Sequence, residues 1–338
     1  VQHLSVIVNS SKTSAFLDGV KVNLPEIGEL VIRVEKSLRS IRPRGLKWNE
    51  YSYITELQTS NGLRVAGYGE SDNQLLSLQK SIAEGVERLV YRSLKATSYD
   101  SRSSNGWAAH LTAKRAELSA MTELLERDAV LLHWLSGTPL LEIPSSDLPD
   151  RLSVWMNSTL VHSQTFKRLR VLVSYLGHLP TVTTVLLDES GHAVLSHATD
   201  RDLPVAIDKA LGETCRIAHI AMDCEIAPEK TESPEDHALW YAKKEKLPEF
   251  IFGVKSTYSM ASHNWKKKFS SFDADAIGAR FQTIECGPLY VSRAVSDRVQ
   301  DLFFGDLEKA LSRGWINSRR IAEAVGFKAL NPLPHFVP

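Results

Sequence analysis

Two stretches of the chain each set a pair of carboxylates one helical turn apart in an otherwise apolar pattern: Ser81-Ile-Ala-Glu84-Gly-Val-Glu87-Arg88 and Glu123-Leu-Leu-Glu126-Arg127. Residues i and i+3 share a helix face, so each Glu-x-x-Glu-Arg motif presents two carboxylates side by side. Like charges at that spacing repel. The surrounding Ile82, Val86, Met121 and Leu125 imply partial burial, where an uncompensated carboxylate is costly. Arg88 and Arg127 answer four negative charges with two positive ones, and a divalent cation would complete the balance. Oxygen-only ligands select a hard ion such as Mg2+, which is held through a few carboxylates together with substrate phosphates. One copy alone reads as a surface charge pattern. Two copies on apolar helices, one with a serine three residues upstream, point to a metal and phosphate site. A further stretch, Lys209-Ala-Leu-Gly-Glu213-Thr-Cys-Arg216, adds another acid–base set at helical spacing.

The elements that must position these residues follow from periodicity. Apolar residues Leu76, Ile82, Val86, Leu89 and Val90 predict a helix over about 73–94, and Leu118, Met121, Leu125, Ala129 and Leu132 a second over about 112–135, stopped by Gly137 and Pro139. A third runs from Leu203 to about Cys224, with Pro204 suited to its first turn. Short β-branched runs predict strands at Leu4–Val8, Leu30–Val34, Leu63–Tyr68, Leu169–Leu176, Val182–Leu187, His192–His197 and Leu289–Val295. The Val182–His197 pair forms a hairpin around Asp188–Gly191, and Ser103–Gly106 is a turn. The Pro-bounded, charge-rich 228–248 stretch reads as a surface helix or a mobile insertion. A final helical region precedes a proline-rich tail. Strands and long helices without regular βαβ alternation give the class: α/β in the broad sense, mixed α+β.

Composition removes several other readings. The 338 residues carry 40 Lys+Arg against 40 Asp+Glu, so bulk charge does not favour nucleic acid. With 43% hydrophobic residues the chain can bury a substantial core, and no stretch is long and apolar enough to span a bilayer. VQHLSVIVNSSKTS lacks a charged region followed by an apolar run, so it does not read as a secretory signal. Cys215, Cys224 and Cys286 have no Cys-x-x-Cys spacing, which fits a reducing compartment and a cytoplasmic protein. Gly67-Tyr-Gly-Glu-Ser71 is not a Walker loop, since no Gly-Lys-Ser/Thr follows. Lys266–Lys268 reads as a solvated face, and Trp107, Trp134 and Trp155 as core.

In order along the chain, Ser81-x-x-Glu84-x-x-Glu87-Arg88, Ser104-Asn105-Gly106-Trp107-Ala108-Ala109 and Glu123-Leu-Leu-Glu126-Arg127-Asp128-Ala129 resemble the YcaO-domain signature. The resemblance spans about residue 60 onward and implies a YcaO-like fold, with strands packed against long carboxylate-bearing helices. It divides the chain into a strand-rich N-terminal part of the catalytic domain, 1–60, and an ATP-binding catalytic domain, 61–338. It implies an ATP site in which glutamates hold Mg2+ that bridges the phosphates. Glu84, Glu87, Glu123, Glu126 and Glu213 become metal ligands. Ser81, Arg88, Arg127, Lys209 and Arg216 become nucleotide contacts or electrostatic partners. Lys209 stands where the family often has arginine, and Arg115 where it often has an acid; a lysine does not reproduce bidentate phosphate geometry.

Pro332-Leu-Pro334-His-Phe-Val-Pro338 resembles the proline-rich tail of azoline-forming members, and Leu131-Leu-His-Trp134-Leu-Ser-Gly137 resembles the microcin B17-type synthetase branch. The implied activity is ATP-dependent cyclodehydration of a ribosomal precursor peptide. A Cys, Ser or Thr side chain attacks the preceding carbonyl, the oxyanion takes the γ-phosphoryl group, and loss of phosphate gives a thiazoline or oxazoline. Glu126 and Arg127 would serve the reacting phosphate, and the Pro338 carboxylate would act as base or proton shuttle. Thioamide or macroamidine formation, and a non-catalytic peptide-docking role, remain open alternatives. About 60 residues upstream are few for a separate recognition domain, so the resemblance implies an E1-like or leader-recognition partner. An FMN-dependent dehydrogenase would share the same complex. Neither nucleic acid nor membrane is implied.

Overall fold

The computed structural model describes residues 30–33, 46–59, 62–96, 104–252, 277–326 and 329–335. The expected strand at Leu4–Val8 and the Lys266–Lys268 run lie outside these. In chain order the elements are β1 (Leu30–Arg33), β2 (Tyr51–Thr59), β3 (Arg64–Ser71), α1 (Gln74–Ala96), β4 (Trp107–His110), α2 (Ala113–Ser136), β5 (Leu141–Glu142) and α3 (Asp150–Trp155). They continue with β6 (Arg168–Ser174), β7 (Thr181–Leu187), β8 (Ala193–Thr199), α4 (Leu203–Asp223), α5 (Pro234–Lys243), β9 (Arg280–Cys286), β10 (Leu289–Val295), α6 (Leu307–Ser312) and α7 (Ser318–Val325). The mixed helix-and-sheet class is as expected.

Two compact units share the chain. The first comprises Val1–Ser40, Asn49–Glu123 and Ala279–Val295; the second comprises Ile41–Trp48, Leu124–Gly278 and Ser296–Pro338. The first holds two antiparallel three-stranded sheets, ordered β1-β2-β3 and β4-β10-β9. The alternation of β2 turns Tyr53, Thr55 and Leu57 inward onto α1, which answers with Leu78, Ile82, Val86, Leu89 and Val90.

The second unit is built on the antiparallel sheet β5-β6-β7-β8. Every residue of β7 and β8 is buried, so these strands are covered on both faces. One apolar cluster joins Val171, Val173, Val182 and Val194 to Ala206, Ala210 and Ile217 of α4. The other joins Leu131, Trp134 and Leu135 of α2 to Tyr241, Leu302, Phe303 and Ile321. The β7–β8 hairpin forms as expected, with Leu187 opposite Ala193. The charge-rich 228–248 stretch contains α5, started by a capping box between Ser233 and Asp236. Trp107, Trp134 and Trp155 are all core.

Candidate functional site

In the first unit, α1 packs onto β3 at backbone distance. A Cβ on Gly67 would collide with the Ser81 carbonyl and the Gly85 amide, and one on Gly69 with Ser77 and Ser81 backbone. Side chains four residues apart on α1 then satisfy the outward-facing backbone groups of β3, the outer strand of its sheet. Lys80 Nζ donates to the Glu70 carbonyl at 3.0 Å, Glu84 Oε2 accepts from the Tyr68 amide at 2.5 Å, and Arg88 Nη1 donates to the Ala66 carbonyl at 2.9 Å. Arg92 Nη1 reaches the Arg64 carbonyl at 3.3 Å. Glu84 Oε1 pairs with Arg88 Nη2 at 2.6 Å, so both its oxygens have partners.

Ser81 is wholly buried. Its hydroxyl donates to the Leu78 carbonyl at 2.8 Å and meets Thr55 Oγ1 at 2.6 Å, inside the α1–β2 packing. The structure therefore places the hydroxyl expected to touch nucleotide in the wall behind the carboxylates, out of solvent. Glu87, one turn beyond Glu84, is partly buried. Burial first, then the charges of Glu123 and Glu84, push its carboxyl well above the ordinary range, against Arg88 and the Ala109 backbone N–H. Ala109 belongs to β4, entered through the Ser104–Gly106 turn. The first unit thus brings Glu84, Glu87, Glu123 and Arg88 into one electrostatic group.

In the second unit, Glu126 Oε2 accepts the Thr199 amide at 2.7 Å. Burial pushes its carboxyl up to about 7, although Arg127, the Thr199 hydrogen bonds and Lys209 all pull it down. Arg127 Nη1 lies 2.9 Å from His197 Nε2. Burial and Arg127 hold that imidazole well below its ordinary pKa. His197 is therefore neutral, Nε2 accepts from the guanidinium, and the 3.8 Å approach to Glu126 is not an ion pair. Lys209 Nζ binds Asp200 at 2.7 Å. Burial alone would raise the Asp200 pKa, but Lys209 and the Asp202 and Arg201 amides bring it below the usual value. Glu213 and Arg216 pair bidentately on α4. Arg115, of the first unit, is exposed. Pro338 lies outside the described residues.

Several residues bonded next to or onto Glu126 and Arg127 are not singled out by charge spacing. Asp128, the residue after the second motif, is fully buried and takes a bidentate ion pair from Arg320 of α7 at 2.6 to 3.2 Å together with the Gln300 amide at 2.8 Å. Thr199, His197 and Asp200 come from the end of β8, and only their pairing with α2 and α4 gives them meaning. The four-residue spacing of Lys80, Glu84, Arg88 and Arg92 was a visible signal for the strand-edge ladder.

The carboxylates fit a hard cation. In the first unit the charges of Glu87 and Glu123 act against each other; in the second, separately, Glu126 keeps a partly buried carboxyl. Among the described residues no three His, Cys, Asp or Glu side chains converge into a preformed metal cage. Glu87 and Glu123 would supply part of a shell, with phosphate oxygens and water completing it, as Mg2+ requires.

Comparison with known proteins gives the context. Residues 81–291 match the family described as YcaO cyclodehydratase, ATP- and Mg2+-binding. No curated protein sequence matches the chain. Among solved structures, a heterocyclase in complex with substrate and cofactor is similar at 13% identity and a TM-score of 0.52; the alignment covers 91% of this chain and 54% of that one. The chain thus spans about half the length of that heterocyclase. The YcaO protein of Methanopyrus kandleri bound with AMPPCP and Mg2+ is similar at 13% identity and a TM-score of 0.51, covering 90% of this chain and 93% of that one. The E. coli microcin synthetase McbBCD complex with pro-MccB17 bound contains a chain similar at 12% identity and a TM-score of 0.51, covering 79% and 87%. These likenesses establish the fold. The matched segment contains every motif glutamate on α1, α2 and α4 and extends over more than half the chain: the protein belongs to the YcaO family, whose members bind ATP and Mg2+.

Proposed function

We propose that the chain is an ATP-dependent cyclodehydratase that converts Cys, Ser or Thr of a ribosomal precursor peptide into thiazoline or oxazoline rings. The observation that carries this reading is the repelling Glu87–Glu123 pair on α1 and α2, inside the segment matched to an ATP- and Mg2+-binding cyclodehydratase family. When bound, Mg2+ neutralises phosphate charge, and ATP supplies the phosphoryl group that makes an amide oxygen able to leave.

The chain's own residues supply placement. Glu87 on α1 and Glu123 on α2 are metal ligands, with Glu84, already bridging Tyr68 and Arg88, fixing α1. Ser81 locks that helix to β2 from behind. In the second unit Glu126 holds a charge-sensitive position beside Arg127, and the hydrogen bond to neutral His197 fixes the guanidinium. Lys209, Glu213 and Arg216 on α4 are the remaining proposed phosphate-site groups. Holding reactants in one geometry and matching developing charge is most of what phosphoryl transfer asks of a protein.

A leader-recognition or E1-like subunit and an FMN-dependent dehydrogenase are the proposed companions; the likeness to a chain of the microcin synthetase complex supports a multi-subunit setting. The test is mass spectrometry of peptides encoded beside the gene, incubated with the chain, its neighbouring gene products and Mg2+–ATP. Loss of one water per ring, with peptide-dependent ATP hydrolysis, is expected. Exchange of oxygen for sulfur without water loss would instead assign thioamide formation.

A further inference from the structure

Within the second unit, three consecutive carbonyls of one segment are each taken by a side-chain donor. Trp134 Nε1 donates to the Leu333 carbonyl at 2.9 Å, Tyr241 Oη to the Pro334 carbonyl at 2.6 Å, and His237 Nδ1 lies 2.6 Å from the His335 carbonyl. The chemistry is complementary. Pro332 and Pro334 have no N–H, so at residues 333–335 the backbone offers carbonyl acceptors, and three side chains of the surface meet them with donors. His237 and Tyr241 stand four residues apart on α5, on one face, and Tyr241 packs edge-on against Trp134 with ring centroids 5.7 Å apart. The Asn331 amide adds a bond to the Leu135 carbonyl at 2.8 Å.

The side chains of Pro332 and Leu333 face solvent, whereas His335 is buried. Its ring stacks on His237 at 4.0 Å, and its Nε2 donates to the Phe303 carbonyl at 2.5 Å. His237 faces a second carbonyl, Thr231, at 2.9 Å from Nε2. A neutral imidazole has one N–H to give, and the shorter contact is the one to the proline segment. The helix α5 that carries His237 packs against β8, whose His197 and Thr199 bind Arg127 and Glu126, and Arg127 and His197 act on His335 electrostatically.

The geometry points to Trp134, Tyr241 and His237 as a three-point clamp that reads the carbonyls of residues 333–335 and fixes His335 as a wall of the Glu126–Arg127 site. The clamp makes His237 and Tyr241 positioning residues for catalysis. The clamp itself is independent of the reaction; its catalytic consequence rests on the cyclodehydratase reading.

The experiment compares Tyr241→Phe, His237→Phe and His237→Asn with the parent full chain. His237→Phe keeps a ring for stacking and loses the donor, while His237→Asn loses the ring and keeps a donor near Nδ1. Hydrogen exchange of the segment 329–335 and the Trp134 indole N–H resonance report the clamp directly. Tyr241→Phe and His237→Phe should speed exchange about tenfold, the worth of one buried hydrogen bond, and shift the indole signal, with His237→Asn close to parent. In the ring-forming reaction the same two variants should lose kcat about tenfold, with KM for peptide and Mg2+–ATP binding little changed. Unchanged exchange in both phenylalanine variants overturns the clamp, whatever reaction the chain performs. Faster exchange with unaltered kcat overturns the positioning role, as does His237→Phe outperforming His237→Asn. A parent chain that forms no rings counts against the cyclodehydratase reading alone, because exchange and the indole signal still decide the clamp.

Discussion

Glu126→Gln removes a charge that the fold holds at a cost. Burial lifts this carboxyl from an ordinary 4.5 to about 7 in the metal-free protein. A raised folded-state pKa means that the folded chain binds the proton more tightly than the unfolded one. Its stabilising contribution is full below 4.5 and is lost as pH rises through about 7. The change from 4.5 to about 7 sets an upper bound of about 3 kcal/mol on that contribution. Glutamine keeps an oxygen for the Thr199 amide and carries no charge to desolvate. In magnesium-free buffer, Glu126→Gln should match the parent in urea unfolding near pH 5. It should be more stable by up to ~3 kcal/mol near pH 8. A non-hydrolysable ATP analogue with Mg2+ should then stabilise the parent at the higher pH and leave the variant nearly unmoved. A variant that is less stable than the parent at both pH values, or a difference independent of pH, would refute the assignment of Glu126 as a strained carboxylate awaiting a cation.

Three further outcomes follow from the geometry. Gly67→Ala drives a methyl group into α1 backbone at Ser81 and Gly85, so chemical denaturation should show a loss of at least ~2 kcal/mol; a neutral result would contradict the close packing. His133 donates to the Thr138 carbonyl, accepts from Ser174 and has its pKa lowered by burial to about 4, so the parent should lose up to about 3 kcal/mol as pH falls from about 6.5 to 4; His133→Gln should flatten that slope. Arg320→Ala leaves the fully buried Asp128 carboxylate without its ion pair and should cost roughly 3–5 kcal/mol, whereas the double variant with Asp128→Asn should recover part of it in the same unfolding assay.

The helices were legible because their apolar period is long and unbroken. α1 and α2 begin and end within two residues of the expected bounds, and α4 within one. β10 runs over the expected Leu289–Val295. The strands not foreseen have physical reasons. Ile54 and Glu56 make one face of β2 mixed, β4 has only four residues and β5 two, and most of β9 is exposed. Each is defined by its partner strand more than by its own composition. For the candidate site, spacing along the chain gave the glutamates and arginines on α1, α2 and α4. It did not separate Glu84, whose oxygens are taken by Tyr68 and Arg88, from Glu87, which faces Glu123. It also gave no sign that Ser81 points inward, or that His197 and Thr199 would meet Arg127 and Glu126 across more than 60 residues of sequence. Those pairings exist only once β2 and β8 are laid against their helices.

The most direct test of the central claim follows the oxygen. A precursor peptide carrying heavy oxygen in the carbonyl that precedes a reacting Cys, Ser or Thr is incubated with Mg2+–ATP, the chain and its partner proteins. The account predicts that each water-loss ring delivers the heavy oxygen into inorganic phosphate, and that Glu87→Gln abolishes both ring and label transfer while the chain stays folded. Rings formed with the label released into water, or label transfer undiminished in Glu87→Gln, would contradict it.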